Sequence, residues 1–286
     1  MTVSEAVKKH SEIFSSLGIE TSLLDSRLIV MKATGFDKVK LFTESSRILT
    51  ETELKTIEEL SLRRQNFEPM QYIFGKCEFM GLDLSLNRDT LIPRADTEIL
   101  VETVLSELKN RSVQSKKLLD IGTGSGAILI SILRYDNETV GSGIDISENA
   151  LSQARKNADS NSVSDRCDFF VSDLFENINE TYDIIISNPP YIETDVIETL
   201  SPQVKDYEPR RALDGGNDGL DFYRKIISGA DRYLNKNGMI FFEIGFSQAN
   251  AVKDLLTEHG FRDITIKKDL ADLDRVVYAS LKNAFS

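Results

Sequence analysis

The sequence predicts an α/β protein, a mostly parallel sheet flanked by helices and preceded by a small helical domain. Three observations predict it. From residue 116 on, β-branched apolar runs alternate with segments of helical period, the pattern that builds a parallel sheet. A glycine-rich turn, Gly122-Thr123-Gly124-Ser125-Gly126, joins the first of those runs to its helix. Before residue 70, apolar residues recur at helical spacing and no strand pattern interrupts them.

Taken in order, residues 1–70 read as a helical bundle. Thr2-Val3-Ser4-Glu5 fits a capping box that opens a helix stopping near Gly18. Leu23, Leu24, Leu28 and Met31 give the next helix its apolar stripe, and Gly35 ends it. Thr50-Glu51-Thr52-Glu53 is a second capping box, opening a helix through Leu54, Ile57, Leu60 and Leu62 that ends before Pro69. The bundle has no catalytic constellation of its own, and scaffolding and substrate docking are equal readings of it. Residues 71–92 change period: Tyr72-Ile73-Phe74 and then Phe79, Leu82, Leu84 and Leu86, punctuated by Gly75 and Gly81, predict a β-hairpin linker. The third domain spans 93–286, and its first helix, Ile99 to Leu108, is expected to be capped by Asp96 or Thr97.

The sheet follows. Strands are expected at Lys117–Ile121, Val140–Ile146, Cys167–Val171, Tyr182–Ser187, Met239–Ile244, Phe261–Lys267 and Val276–Leu281, seven in all. Ser147 caps the helix from Glu148 to Ala158, and Asn235 to Gly238 reads as a turn. The connection from Ile192 to Asn217 exceeds ordinary loop lengths, which predicts a functional lid or short helices.

Composition narrows the function. The chain has 286 residues and a formal net charge of −12, uneven along its length: 12 basic against 14 acidic residues up to residue 90, and 22 against 32 beyond. A phosphate-backbone binder shows a basic excess, so the acidic balance argues against DNA as main partner and suits a small molecule or a basic protein surface. The opening MTVSEAVKKH has neither a secretory nor a transit pattern, and the two cysteines, Cys77 and Cys167, lack metal-ligand spacing; both predict buried thiols in a cytoplasmic protein. His10 and His259 read as helix-surface residues without a catalytic role.

The chemistry concentrates after the fourth strand. Two prolines must end the run Tyr182-Asp183-Ile184-Ile185-Ile186-Ser187, so Asn188-Pro189-Pro190-Tyr191 forms a stiff loop at the carboxyl end of a strand, where open α/β sheets keep ligands. A planar NH2 group, on an amide or on adenine, is a poor nucleophile because its lone pair is conjugated. The Asn188 side-chain oxygen and the Pro189 carbonyl can each accept one of its N–H bonds, aim the lone pair and stabilise the positive charge that develops. Tyr191 can stack on the planar group. An ordinary strand-ending turn is the alternative.

The glycine turn Gly122 to Gly126 lacks the Lys-Ser/Thr of a P-loop and follows an acid, Asp120, that a pyrophosphate would disfavour. Asp145 ends the second strand and can accept both hydroxyls of an adenosine ribose; Asp173, beside Leu174, follows the third strand and can accept from an adenine amino group. Acids after three successive strands fit S-adenosylmethionine, with its positive amino-acid end, better than a nicotinamide dinucleotide. Turn capping explains each acid singly.

With DIGTGSG, Asp145, Asp173 and NPPY in this order, the chain resembles the class I S-adenosylmethionine-dependent methyltransferases that act on planar nitrogen. NPPY alone does not separate adenine N6 from a glutamine amide. The flanks QYIFGKCEFMGL, LIPRADTEILVE, YEPRRALDGGNDGLDFY, EIG and DLADLDRVV resemble the HemK/PrmC family over nearly the whole chain. That resemblance implies a Rossmann-like seven-stranded sheet, S-adenosyl-L-methionine as cofactor and class I peptide chain release factors as protein substrate. It implies methylation of the side-chain amide of their Gly-Gly-Gln glutamine. It also implies that Gly122, Thr123, Gly124, Ser125, Gly126 and Asp145 hold the cofactor, that Asp173 and Leu174 border its adenine, and that Asn188, Pro189, Pro190 and Tyr191 grip the glutamine, with Asn188 next to the cofactor. Ala95 departs from the family's second proline in IPRPDTE and loosens that turn, leaving Arg94, Asp96, Thr97 and Glu98 in place.

Overall fold

The structure is a computed structural model that describes residues 1–110 and 116–281; the stretches 111–115 and 282–286 of the expected third domain lie outside the described residues. The described residues divide into two compact units: Met1–Phe74 with Pro202–Tyr207, and 75–110 and 116–201 with 208–281.

The first unit is helical: α1 (Val3–Ser16), α2 (Ser22–Thr34), α3 (Lys38–Thr43), α4 (Glu51–Gln65) and α5 (Met70–Phe74), joined late in the chain by α9 (Pro202–Lys205). Both capping boxes form: Thr2 accepts from the Glu5 amide, Thr50 from the Glu53 amide, and each glutamate reaches back to its cap. Gly35 ends α2 in the left-handed conformation. The buried face of α2 differs from the expected stripe. Ile29 and Val30 turn inward together with Asp25 and Ser26, while Leu23 and Leu24 are exposed. The reason is Arg64 of α4, whose Nε donates to Asp25 Oδ2 at 2.8 Å with both side chains buried. His10 is likewise inside, against Phe14, and not on the surface as its isolation in sequence suggests. Tyr72-Ile73-Phe74, read as a strand, lies in α5; the following Gly75, with φ of +69°, separates that turn from the hairpin.

The second unit opens with the hairpin β1 (Lys76–Phe79) and β2 (Leu82–Ser85), then α6 (Ala95–Asn110). The remaining elements are β3 (Lys116–Ile121), α7 (Ala127–Tyr135), β4 (Thr139–Asp145), α8 (Glu148–Ser160), β5 (Cys167–Val171), β6 (Tyr182–Ser187), α10 (Asp221–Ala230), β7 (Leu234–Glu243), α11 (Ala249–Glu258), β8 (Phe261–Lys268) and β9 (Asp274–Leu281). Seven strands form one sheet in the order β5-β4-β3-β6-β7-β9-β8, and β9 runs antiparallel to both its neighbours. The central strands β3, β6 and the second half of β7 are buried on both faces, which is why they read as continuous apolar runs, while the edge strands β5 and β8 are partly exposed. Leu118, Ile184, Ile186 and Phe241 pack under α6, α7 and α8, while Leu119, Ile185, Ile240 and Phe242 pack under α10 and α11. The expected turn at Asn235–Gly238 is a bulge within β7: Tyr182 pairs with Leu234 but Ile184 already pairs with Met239. The long connection after β6 carries short helical turns at Thr194–Thr199, Pro202–Lys205 and Arg210–Ala212. Cys77 and Cys167 are only half-buried.

The chain builds β3, β4 and β5 outward in one direction and then returns to add β6 on the other side of β3. That reversal leaves a crevice at the carboxyl ends of β3 and β6, where an open sheet takes its ligand.

Candidate active site

The crevice is a cavity of about 470 Å³. Its wall brings together Gly122 and Gly124 from the turn after β3, Asp145 at the end of β4, Asp173 and Leu174 after β5, and Asn188, Pro189 and Pro190 after β6. Four sequence-distant segments therefore meet on one cavity.

Backbone geometry fixes the turn. The amides of Gly122 and Thr123 both donate to the Ile144 carbonyl at 2.9 Å, and the Gly124 amide donates to Asp145 Oδ2 at 3.1 Å. Gly122 and Gly124 have φ of +73° and +56°, which a side chain would strain. The other three predicted turn residues do not line the cavity. The Thr123 hydroxyl donates to Asp120 Oδ2 at 2.7 Å, the Ser125 carbonyl accepts from Asn157 Nδ2 at 2.9 Å, and Gly126 lies against Ile130 and Ala154. They hold the turn's shape.

Asp145 is poised between uses. Its Oδ1 accepts from the Ser147 amide at 2.9 Å and its Oδ2 from Gly124, which leaves further lone pairs on each oxygen. Burial raises its proton affinity, while those amides and Arg211 oppose the rise. Arg211, which sequence reading did not single out, donates to Ser147 Oγ at 2.8 Å and to Asp89 Oδ1 at 3.0 Å. Asp89, Asp145, Asp173 and Asp214 give the wall four acids against Arg211 and Lys225, a balance that suits a cationic ligand and disfavours a pyrophosphate. Asp120, one step behind the turn, is fully buried, and burial pushes its carboxyl up to about 7.

At the other wall, Ser187 Oγ donates to the Ile121 carbonyl at 2.8 Å and ties the end of β6 to the end of β3. Asn188 Nδ2 donates to Thr97 Oγ1 at 3.3 Å, which turns Oδ1 the other way. Neither Asp96 nor Thr97 caps α6. The helix starts at Ala95, Asp96 pairs with Arg275 at 3.2 Å, and Thr97 is committed to Asn188. Tyr191 does not join the cavity wall; its hydroxyl donates to Glu243 Oε1 at 3.3 Å. Burial pushes Glu243 up to about 7.

The loop after the 3-10 turns clamps the prolines from outside. Ile192 and Gly215 exchange bonds with Leu213 and Ile192 carbonyls at 3.0 and 2.8 Å, respectively. A Cβ on Gly215 would stand 2.7 Å from the Pro190 carbonyl oxygen, so only glycine fits. Glu208 accepts from the Ile92 amide and from Arg94, which ties the same loop to the segment before α6. The motifs IPRADTE and YEPRRALDGG therefore support the site through specific bonds. Thr97, Arg211 and Glu243 sit inside motifs visible in the sequence, but their partners are not.

The cavity has the chemistry of a group-transfer site: a close-approach backbone turn, acids for a cationic nucleoside, and a rigid amide facing it. The profile of the PrmC N-terminal domain matches residues 5–75, and that of the methyltransferase small domain matches residues 95–202. The chain is 41% identical over 278 residues to a release factor glutamine methyltransferase of Agrobacterium fabrum, covering 96% of both chains. It is 41% identical over 274 residues to a protein of the same name from Thermodesulfovibrio yellowstonii, covering 96% of this chain and 97% of that one. A solved methyltransferase from Pyrococcus furiosus superposes with a TM-score of 0.54 at 19% identity, over 78% of this chain and 100% of that one. The fold is therefore that of the class I S-adenosylmethionine-dependent methyltransferases, an enzyme fold. With such identity sustained over nearly its whole length, the chain belongs to the release factor glutamine methyltransferase family.

Proposed function

We propose that this protein transfers a methyl group from S-adenosylmethionine to the side-chain amide nitrogen of the glutamine in the Gly-Gly-Gln motif of class I peptide chain release factors. The observation that carries the reading is the meeting of Asn188-Pro189-Pro190 and the Gly122–Gly126 turn on one acid-lined cavity, in a chain 41% identical to enzymes of that name. When bound, S-adenosylmethionine supplies an electrophilic sulfonium methyl. The residues present fit it: Gly122 and Gly124 leave room for close backbone approach, Asp145 offers unused lone pairs to the ribose hydroxyls, and Asp173 and Leu174 border the adenine. Thr123, Ser125 and Gly126 hold that turn in shape.

Asn188 Oδ1 and the Pro189 carbonyl accept the two N–H bonds of the glutamine amide, and Pro190 and Tyr191 keep that pair rigid. Two fixed acceptors turn the nitrogen lone pair toward the methyl and stabilise the charge that grows as the new N–C bond forms. The nitrogen would gain the methyl as the methyl–sulfur bond breaks, its electron pair leaving with the neutral thioether S-adenosylhomocysteine, and would lose one proton, which is acidic enough at that stage to leave to water. No side chain need act as a strong base. The N-terminal helical unit and the acidic face of the catalytic unit serve release-factor docking. The reaction belongs in the cytoplasm, where release factors work; among the described residues no helix is long and apolar enough to cross a membrane.

Two variants test the assignment. Asn188→Ala should cost about 100-fold or more in turnover, with the cofactor dissociation constant nearly unchanged. Asp145→Ala should instead weaken cofactor binding about 10-fold or more, the scale of one lost charge-assisted hydrogen bond. Normal turnover in the first, measured as methyl incorporation at saturating cofactor, would remove Asn188 from the mechanism.

A further inference from the structure

The rear of the Asn188 amide is held by side chains that the transfer itself does not use. Asn188 Nδ2 donates to Thr97 Oγ1 at 3.3 Å, and Thr97 is buried on the first turn of α6. A hydroxyl that accepts from an amide must place its own proton elsewhere. The Glu243 carboxyl, at the end of β7, is an acceptor whose proton affinity the Thr97 hydroxyl lowers. Glu243 is 1% exposed. Its Oε1 accepts from the Tyr191 hydroxyl, and its Oε2 is buried with no hydrogen-bond partner among the described residues, an acceptor still open. Around it stand Thr97 and Asp96 from α6, Tyr191 from the proline loop, Tyr223 from α10 and Arg275 from β9. Tyr223 donates to the Glu243 backbone carbonyl at 2.8 Å, and Arg275 is already engaged by Asp269 at 3.1 Å and Asp96 at 3.2 Å.

We propose that Thr97 and Glu243 are positioning residues that set which end of the Asn188 amide faces the cavity. The inference rests on the transfer proposed above. An asparagine amide fills nearly the same shape in either of its two orientations, so packing alone does not choose. In the reversed orientation its NH2 meets the substrate NH2, donor against donor, and one of the two acceptors is lost. A lone hydroxyl behind it does not choose either, because it donates as readily as it accepts. An ionised carboxylate only accepts. It orders the Thr97 hydroxyl as donor toward itself, the hydroxyl is then an acceptor for Nδ2, and Oδ1 is left for the glutamine. The order is directional and ends at the one atom the chemistry needs. Burial pushes Glu243 up to about 7 against the pull of Arg275 and Tyr191. A protonated Glu243 donates as well as accepts, so turnover should fall as pH drops through about 7, even with cofactor and substrate saturating.

The test follows methyl transfer to a release factor by the full-length enzyme, with cofactor affinity measured for each variant. Thr97→Val keeps the shape and removes the hydroxyl; kcat should fall roughly 10- to 100-fold, with cofactor affinity and release-factor KM within about threefold. Thr97→Ser should return kcat to within about threefold of wild type. Glu243→Gln should lower kcat and abolish the acid limb near pH 7. Wild-type kcat in Thr97→Val, or no rescue by Thr97→Ser, overturns the inference. If Thr97→Val fails to bind cofactor, the Glu243→Gln profile decides, and an acid limb identical to wild type overturns it. A wild-type enzyme that labels no release factor would overturn the proposed function and this inference with it; a wild type that labels it and a Thr97→Val that matches it would sink this inference alone.

Discussion

Asp120 puts a measurable pH dependence into the stability of the catalytic unit. Its side chain, one residue before the end of β3, has no exposed surface, Oδ2 accepts from the Thr123 hydroxyl, and Oδ1 has no hydrogen-bond partner among the described residues. Burial raises it from 3.8 to about 7; the Thr123 hydroxyl and the Leu129 amide oppose the rise and Asp145 adds to it. The folded state therefore holds a proton that the unfolded chain releases. Such a raised carboxyl contributes its stability fully below the unfolded value near 3.8, and the contribution is lost as pH rises to about 7. At 1.36 kcal/mol for each unit, the whole window is worth about 4 kcal/mol, of which about 3 kcal/mol falls between pH 5 and pH 8. Asp120→Asn keeps the shape and does not titrate. Relative to wild type, the variant should gain about 3 kcal/mol on going from pH 5 to pH 8, measured by urea unfolding without cofactor and followed by circular dichroism. Charges common to both proteins, Glu243 included, cancel in the difference. Parallel pH dependences for the two would refute the buried, protonated state.

Two other substitutions probe the supports of the site and of the N-terminal unit. Gly215→Ala puts a Cβ at 2.7 Å from the Pro190 carbonyl oxygen and 2.8 Å from Tyr191 Cα, both backbone atoms, so the proline loop must shift; kcat should drop by about 10-fold or more, and a normal kcat would mean the loop is not clamped there. Arg64→Ala leaves Asp25 buried and unpaired, which should cost about 3–5 kcal/mol in the helical unit by denaturant titration. A loss under about 1 kcal/mol would mean that water or a rearranged side chain takes the place of Arg64.

Much of this molecule is legible in sequence because its signals are local. The central strands β3, β6 and the second half of β7 are buried on both faces, so each is a short apolar run with a turn at its end. The capping boxes at Thr2 and Thr50 are four-residue patterns and form as read. Asn188 and the glycines announce themselves because the prolines after Asn188 stiffen the chain and glycines permit the positive φ that a sharp turn needs. The misreadings come from contacts that sequence spacing does not encode. The buried face of α2 follows Arg64, 39 residues away, and not the leucine stripe. His10 reads as surface from its isolation yet packs inside against Phe14. Thr97 lies 91 residues from Asn188, and as a helix-start threonine it is read as a cap, its commonest use in that position. The turn expected at Asn235–Gly238 has turn composition, but β7 absorbs it as a bulge in its pairing with β6.

The central claim is the identity of the methyl acceptor. The most direct measurement is transfer of labelled methyl from S-adenosylmethionine to three purified acceptors: a class I release factor, the same factor with its Gly-Gly-Gln glutamine changed to alanine, and duplex DNA. The account predicts label on the first and none on the other two. Label on the altered factor would move the modified atom away from that glutamine, label on DNA would make adenine the substrate, and label on none would contradict release-factor methylation outright.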